Sequence, residues 1–277
     1  MPLKLMYITN NPTVALIAEN AGVDRIFIDM EYIGKYDRQG GMDTVQSQHT
    51  VEDVNAIRRV VAKAQVMVRV NPVHDKTESY VSTEEEIDAV VNAGADIIML
   101  PFFKSADEVR RFVSAVNGRC KTYLLVETPD AKDNIDEILN VEGIDEIHIG
   151  LNDLSLGMGK KFMFELLTDG TVESLILKFK KKGIPYGFGG IAALGKGLIP
   201  AEMIIREHYR MGSQMAILSR SFCDTSQVED LSQIEKIFSD GVKEIRNLEE
   251  ECKLHMDYFN ANRESLIYSV GKVLNNK

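Results

Sequence analysis

KTYLLVETPDAKDNIDEILNVEGIDEIHIG, residues 121–150, decides the fold. An apolar run, Lys121–Val126, leads into a helical stretch, Ala131–Leu139, and then into a second apolar run, Glu146–Ile149. Short strands that are apolar on both faces and separated by a helix belong in a parallel sheet with helices outside. The same unit repeats in both directions. Before it, Leu3–Ile8, Arg25–Met30, Gln65–Val70 and Asp96–Phe102 read as strands. Helices opening at Pro12, Thr50 and Ser82 or Thr83, and the helix Ser105–Asn117, separate them. Thr50-Val-Glu-Asp53 has the form of a capping box, with Asp in the usual place of Glu. After it come Ile184–Phe188 and Gln214–Leu218, with a helical stretch Phe162–Lys182 broken at Asp169-Gly170 and a helix Pro200–Arg210.

Eight strands in a chain of 277 residues fit a closed barrel, which takes roughly 250. An open doubly wound sheet usually has fewer strands and a glycine-rich first turn. The first turn here, Thr9-Asn-Asn-Pro-Thr13, has no glycine. The expected fold is therefore α/β, a (β/α)8 TIM barrel over residues 1–230 with a C-terminal helical extension over 231–277. In that extension Ile234, Ile237, Phe238, Val242, Ile245, Leu248 and Cys252 keep a helical period longer than a last barrel helix needs. It reads either as a helix on its own barrel followed by a surface helix, or as a helix docked on a neighbouring subunit of a homo-oligomer.

Composition excludes several classes. Hydrophobic residues at 44% and charged ones at 27% rule out a wholly disordered chain. A net charge of −10 argues against nucleic acid as a partner, since phosphate binding needs a basic surface. No apolar run approaches the roughly 20 residues that span a bilayer, so no membrane partner is expected. Met1–Asn10 has the form of no secretory signal. Cys120, Cys223 and Cys252 are too few and too scattered for a disulfide framework or a zinc site. A cytoplasmic location is expected.

Chemistry in such a barrel gathers at the C-terminal ends of the strands. There the chain places Asp29 and Glu31 on one face of the second strand, Arg69 after the third, Lys104 after the fourth, Glu127 after the fifth and Asp153 after the sixth. Glu127 and Asp153 are one unit apart, hence on adjacent strand ends. Two carboxylates there suit Mg²⁺ or Mn²⁺ with water and substrate completing the shell, although spacing alone favours a helix cap or an ion pair over a metal. Lys104 reads as a solvated ion-pair partner. His148, within the sixth strand, reads as packing or as support for a ligand.

Leu125-Val-Glu-Thr-Pro-Asp-Ala131 and Ile149-Gly-Leu-Asn-Asp-Leu-Ser155, with Gly157-Met-Gly159 after it, resemble the metal-ligand segments of the metal-dependent pyruvate aldolases grouped with citrate lyase β subunits, the HpcH/HpaI family. Phe27-Ile-Asp-Met-Glu31, Val68-Arg-Val-Asn-Pro72 and Ala93–Pro101 running into Ser105-Ala-Asp-Glu108 match in the same order. The resemblance spans about residues 3–222. It implies Glu127 and Asp153 as ligands of a divalent metal, and Gly150, Leu151 and Asn152 beside the substrate. It also implies Arg69 as the clamp on a 2-oxo acid carboxylate, a task its planar fork suits. The implied reaction is C–C cleavage or addition through a pyruvate-type enolate, stabilised by the metal as a Lewis acid.

One position departs from that family, where a histidine follows the glutamate after the second strand. Here the pair is Glu31-Tyr32. Tyrosine, with a reference pKa near 10, is a base only if ionised, so Tyr32 is one candidate and His49 the other. The long polar loop Tyr32–His49 reads as a lid over the site. Gly190–Gly197 nearly spells a P-loop, but Gly197 stands where Ser or Thr would hold Mg²⁺. Gly189, Gly190, Lys196 and Arg220 read instead as an anion loop after the last two strands. Three functions follow: a lyase or aldolase on a 2-oxo acid, a phosphoenolpyruvate-type lyase or mutase on the same site, or a carboxylate-binding barrel without turnover.

Overall fold

The computed structural model describes residues 1–34, 47–254 and 257–275. Eight strands close in sequence order into a barrel: β1 (Lys4–Ile8), β2 (Arg25–Asp29), β3 (Gln65–Arg69), β4 (Ile97–Leu100), β5 (Lys121–Val126), β6 (Glu146–Ile149), β7 (Tyr186–Ile191) and β8 (Met215–Leu218). Every neighbouring pair is parallel, including β8 with β1. The helices outside are α1 (Pro12–Asn20), α2 (Val51–Val60), α3 (Thr83–Asn92), α4 (Ala106–Val116), α5 (Pro129–Asp133), α6 (Ile135–Ile138), α7 (Leu151–Gly157), α8 (Glu165–Thr168), α9 (Thr171–Lys182) and α10 (Ala201–Met211). Two more, α11 (Leu231–Leu254) and α12 (Tyr258–Asn275), follow the barrel.

Local chemistry starts and stops these helices where the sequence signals stand. Capping boxes open α2 at Thr50/Asp53, α3 at Ser82/Glu85 and α4 at Ser105/Glu108. Gly170, at φ +88°, separates α8 from α9 at the expected break. Three expectations shift. The stretch Ala131–Leu139 is two short helices that meet at Asn134. The seventh strand runs on through Gly189-Gly190 to Ile191. An unforeseen helix, α7, begins directly after β6.

Strand alternation sorts the core into two bodies. Leu5, Ile26, Val68, Leu124 and Ile147 face outward and pack against the helices. Met6, Phe27, Met67, Met99, Tyr123, Leu125 and Met215 face inward and fill the barrel. The inward set also carries Arg25, Asp29, Arg69, Glu146 and His148, so the interior is partly polar. Both C-terminal helices pack on this same barrel. Glu249 of α11 accepts from the Leu3 N–H at 2.6 Å, and Asn262 of α12 donates to Glu207 at 3.0 Å.

Candidate active site

The register of the barrel builds the site. Asp29, last in β2, lies opposite Arg69, last in β3. Arg69 Nε and Nη2 each reach a different Asp29 carboxylate oxygen at 2.8 Å, a fork-to-fork pair. Nη1 is 3.4 Å from Glu31, so both acids that share a face of the second strand meet the same guanidinium. The Phe27 ring lies beneath it, 5.6 Å from the guanidinium carbon. Burial works against the Arg69 charge, but Asp29 and Glu31 outweigh burial and push its pKa up.

Glu127 follows β5 and is 4% exposed. Its Oε1 accepts from the Phe102 N–H at 3.0 Å. Phe102 has the left-handed φ of +49°, a conformation costly for a residue with a side chain. Gly150 leaves room for Glu127 on the other side. A Cβ there would lie 2.7 Å from Glu127 Cβ and 2.9 Å from its Oε2. Burial, then the charge of Glu31, push the Glu127 carboxyl well above the carboxylate range; Asp153 adds to this, and Arg69 opposes it.

Asp153 stands in the first turn of α7, not at a strand end as expected; Gly150 is that helix's N-cap. Asn152 donates to its Oδ1 at 3.1 Å. Arg69, Glu127, Gly150, Leu151, Asn152 and Asp153 all line one cavity of about 210 Å³. A second cavity of about 570 Å³ adjoins it through Arg69, Asn152 and Ile217, and is also lined by Asp29 and His49. His49 Nδ1 accepts from the Asp29 N–H at 3.0 Å, so the neutral ring carries its proton on Nε2.

Asp29, Glu31 and Glu127 thus gather about the Arg69 guanidinium, and Asp153 adds its charge beside Glu127. That oxygen donor set is hard and anionic, which fits a divalent cation of the Mg²⁺ or Mn²⁺ type. Among the described residues no three His, Cys, Asp or Glu side chains form a complete ligand set. Glu127 and Asp153 would therefore be a two-carboxylate site, with water and substrate oxygens completing it, the usual habit of Mg²⁺.

Other expected residues are placed differently. Tyr32 is 50% exposed and its ring lies 5.6 Å from that of Tyr80, outside both cavities. Partial burial, then Glu86, raise its phenol pKa, the opposite of what an ionised base needs. The four residues of the anion loop divide. Gly189 and Gly190 belong to β7 and line the small cavity, Lys196 lines a third cavity of about 660 Å³, and Arg220 lines both that cavity and the one of about 570 Å³. The cause is the longer β7, which draws the two glycines into the sheet. Of the lid, residues 35–46 lie outside the described residues. His148, read from the sequence as packing or as support for a ligand, lines the small cavity and is fully buried.

Comparison with known proteins bears on the fold and the family. The chain is 27% identical over 176 residues to a 2-keto-3-deoxy-L-rhamnonate aldolase of Escherichia coli O17:K52:H18, a match covering 53% of this chain and 58% of that protein. It thus spans little more than half of that relative. An HpcH/HpaI aldolase from Desulfitobacterium hafniense DCB-2 superposes with a TM-score of 0.59 at 18% identity, over 88% of this chain and 93% of the other. A tryptophan synthase from M. tuberculosis reaches the same TM-score at 15% identity over the same shares, so likeness of structure identifies the barrel and not the reaction. The family model is more telling. It matches residues 4–184, a span that holds Asp29, Arg69, Glu127 and Asp153 in their order, and by that match the chain belongs to the HpcH/HpaI aldolase/citrate lyase family.

Proposed function

We propose that this protein is a metal-dependent carbon–carbon lyase or aldolase acting on a 2-oxo acid. The observation that carries the reading is that Glu127, Asp153 and Arg69 line one cavity, with burial and the neighbouring acids holding the Glu127 carboxyl above its usual range. Glu127 and Asp153 would hold Mg²⁺ or Mn²⁺, which when bound supplies Lewis-acid polarisation of a 2-oxo group.

The remaining steps belong to the chain's own residues. Arg69 has five N–H groups, gives two to Asp29 and sets Nη1 3.4 Å from Glu31; it lines both cavities, where the remaining N–H groups would meet a substrate carboxylate. Leu125, Leu151 and Ile217 wall the cavity with apolar surface and exclude water from the reacting carbons. His49 stands on the wall of the adjoining cavity; to remove or return a proton at the substrate carbon, its Nδ1 must exchange the Asp29 N–H for the substrate. Asn152 lines both cavities and orients Asp153. The larger cavity offers space for the second fragment of a cleaved or condensed substrate, in keeping with the sugar-acid aldolases among the relatives.

Proton exchange at the methyl group of pyruvate in D₂O, followed by NMR with added Mg²⁺ or Mn²⁺, tests the reading. The parent should exchange those protons only with metal present. His49→Ala should slow exchange by about 10²-fold or more, the usual scale for a general base. No exchange with any divalent metal, together with retained oxalate binding, would leave a carboxylate-binding barrel as the better account.

A further inference from the structure

Below the carboxylates, β6 turns His148 into the barrel where its register partner on β7 is Gly187. A Cβ on Gly187 would lie 2.7 Å from His148 Nδ1 and 2.4 Å from the Met215 carbonyl oxygen. The imidazole therefore occupies the space that a side chain on β7 would need. Its Nε2 lies 2.9 Å from the Gly189 carbonyl oxygen, which can only accept, so Nε2 carries the proton. Nδ1 then accepts from the Tyr123 hydroxyl at 3.0 Å. Both nitrogens are committed, and burial depresses the ring's pKa to about 4, so it is neutral and neither a ligand nor an acid at ordinary pH.

What the ring holds is the informative part. Gly189 has φ +51°, and Leu151 presses against it so closely that a Cβ there would meet Leu151 Cδ1 at 2.6 Å. Leu151 is the first residue of α7, which carries Asn152 and Asp153. That helix is seven residues long and its N-cap, Gly150, supplies no side-chain hydrogen bond. A short helix without a cap takes its position from packing. Here the contacts are Leu151 on Gly189, Gly150 on Glu127 and Gly157 on Pro129.

We infer that His148 is a positioning residue for the site: by pinning the Gly189 carbonyl it fixes the seat of Leu151 and so the placement of Asn152 and Asp153. The inference rests on the proposed function only for the role of Asp153. A filler of the barrel interior would need volume alone at position 148; a positioning residue needs the donor that faces Gly189.

Two variants separate these. His148→Leu removes the donor, and His148→Gln keeps an amide donor. Three measurements are made on each: amide hydrogen exchange, Mn²⁺ affinity by electron paramagnetic resonance, and kcat and KM for pyruvate proton exchange. In His148→Leu, amides of residues 151–157 should exchange about tenfold faster while strand amides keep parental rates. Mn²⁺ should bind about 10- to 100-fold more weakly, the range for residues that orient a ligand. The loss of turnover should fall on kcat rather than KM, and His148→Gln should recover most of each effect. Parental α7 exchange and Mn²⁺ affinity in His148→Leu would overturn the inference, as would equal losses in both variants or a uniform rise in exchange across the strands. If the parent itself binds no divalent cation, the functional reading fails while the exchange comparison still decides the role of His148.

Discussion

Two guanidiniums point into this barrel, and they keep opposite company. Arg25, fully buried at the start of β2, meets Glu146 through two contacts of 2.6 and 2.8 Å. Lys4 at 3.2 Å and Lys121 at 3.9 Å add positive charge to the same carboxylate. Burial works against the Glu146 charge, but Arg25 outweighs it and holds the carboxyl below its usual pKa. Arg69, at the end of β3, has the reverse surroundings, with Asp29 and Glu31 in contact and Glu127 near enough to act on its charge. Among the described contacts, several cations converge on one acid at the first end, and several acids converge on one guanidinium at the other. A buried pair that lines no cavity belongs to the architecture, whereas a guanidinium that lines a cavity beside a strongly perturbed acid is the expected mark of a binding or catalytic site.

The largest effect should come from removing one acid at each end. Glu146→Gln leaves Arg25 buried without its counter-ion and should cost about 3–5 kcal/mol in denaturant unfolding. Glu127→Gln removes a charge that its surroundings already disfavour, so the metal-free protein should keep its stability while Mn²⁺ affinity falls by at least about 100-fold in calorimetry. Equal loss of stability in the two variants would break the comparison.

Acid should act next, through the neutral rings lying in the interior. His148 titrates near 4 and His208 near 3, both held down by burial, against a reference of about 6.5 for an unfolded chain. The unfolded state therefore takes up protons first. The stability these rings contribute is complete above pH 6.5 and is lost as pH falls toward 4. For His148 alone the loss is about 3 kcal/mol, readable as a drop in the denaturation midpoint that His148→Leu should reduce. A midpoint that stays level from pH 6.5 to 4.5 would contradict the buried, neutral state.

Gly150→Ala should be a smaller and more local injury. The new methyl collides with Glu127, so Mn²⁺ binding should weaken by about 10- to 100-fold while Arg25–Glu146 is undisturbed and melting changes little. Smaller again is Arg69→Lys, which keeps the charge but loses the fork. It should weaken oxalate binding by about tenfold, with metal affinity nearly parental. If oxalate binds both proteins equally, the Asp29 pair is structural and the contrast with Arg25 dissolves.

The sequence made the barrel legible because each αβ unit repeats the same signals, and the family segments place Glu127, Asp153 and Arg69 without any structure. Two of the misses share a cause, which is glycine. Gly189 and Gly190 carry weak strand preference, so β7 reads from the sequence as ending at Phe188, and two residues expected in a loop lie in the sheet. Helix α7 is bounded by Gly150 and Gly157 and has no capping side chain, so its residues look like the tail of a strand. A third miss was avoidable. Arg25, Phe27 and Asp29 fall at every second position, as do Tyr123, Leu125 and Glu127, and Glu146 with His148. That period of two announces a polar inner face even where overall hydropathy reads as continuous. Tyr32 is a different matter, since nothing in its neighbours reveals that its ring turns toward Tyr80.

The left-handed turn at Phe102 also bears on how this site could change. Its contribution to Glu127 is a main-chain N–H, and no replacement of the side chain other than proline removes that donor. The ring itself is only partly covered and has Lys104 5.8 Å from its face. Position 102 can therefore vary in size and charge at the rim while its grip on the carboxylate persists. In an evolving lineage, or in a library built by saturation at this codon, selectivity at the rim and integrity of the acid beneath it are separable traits.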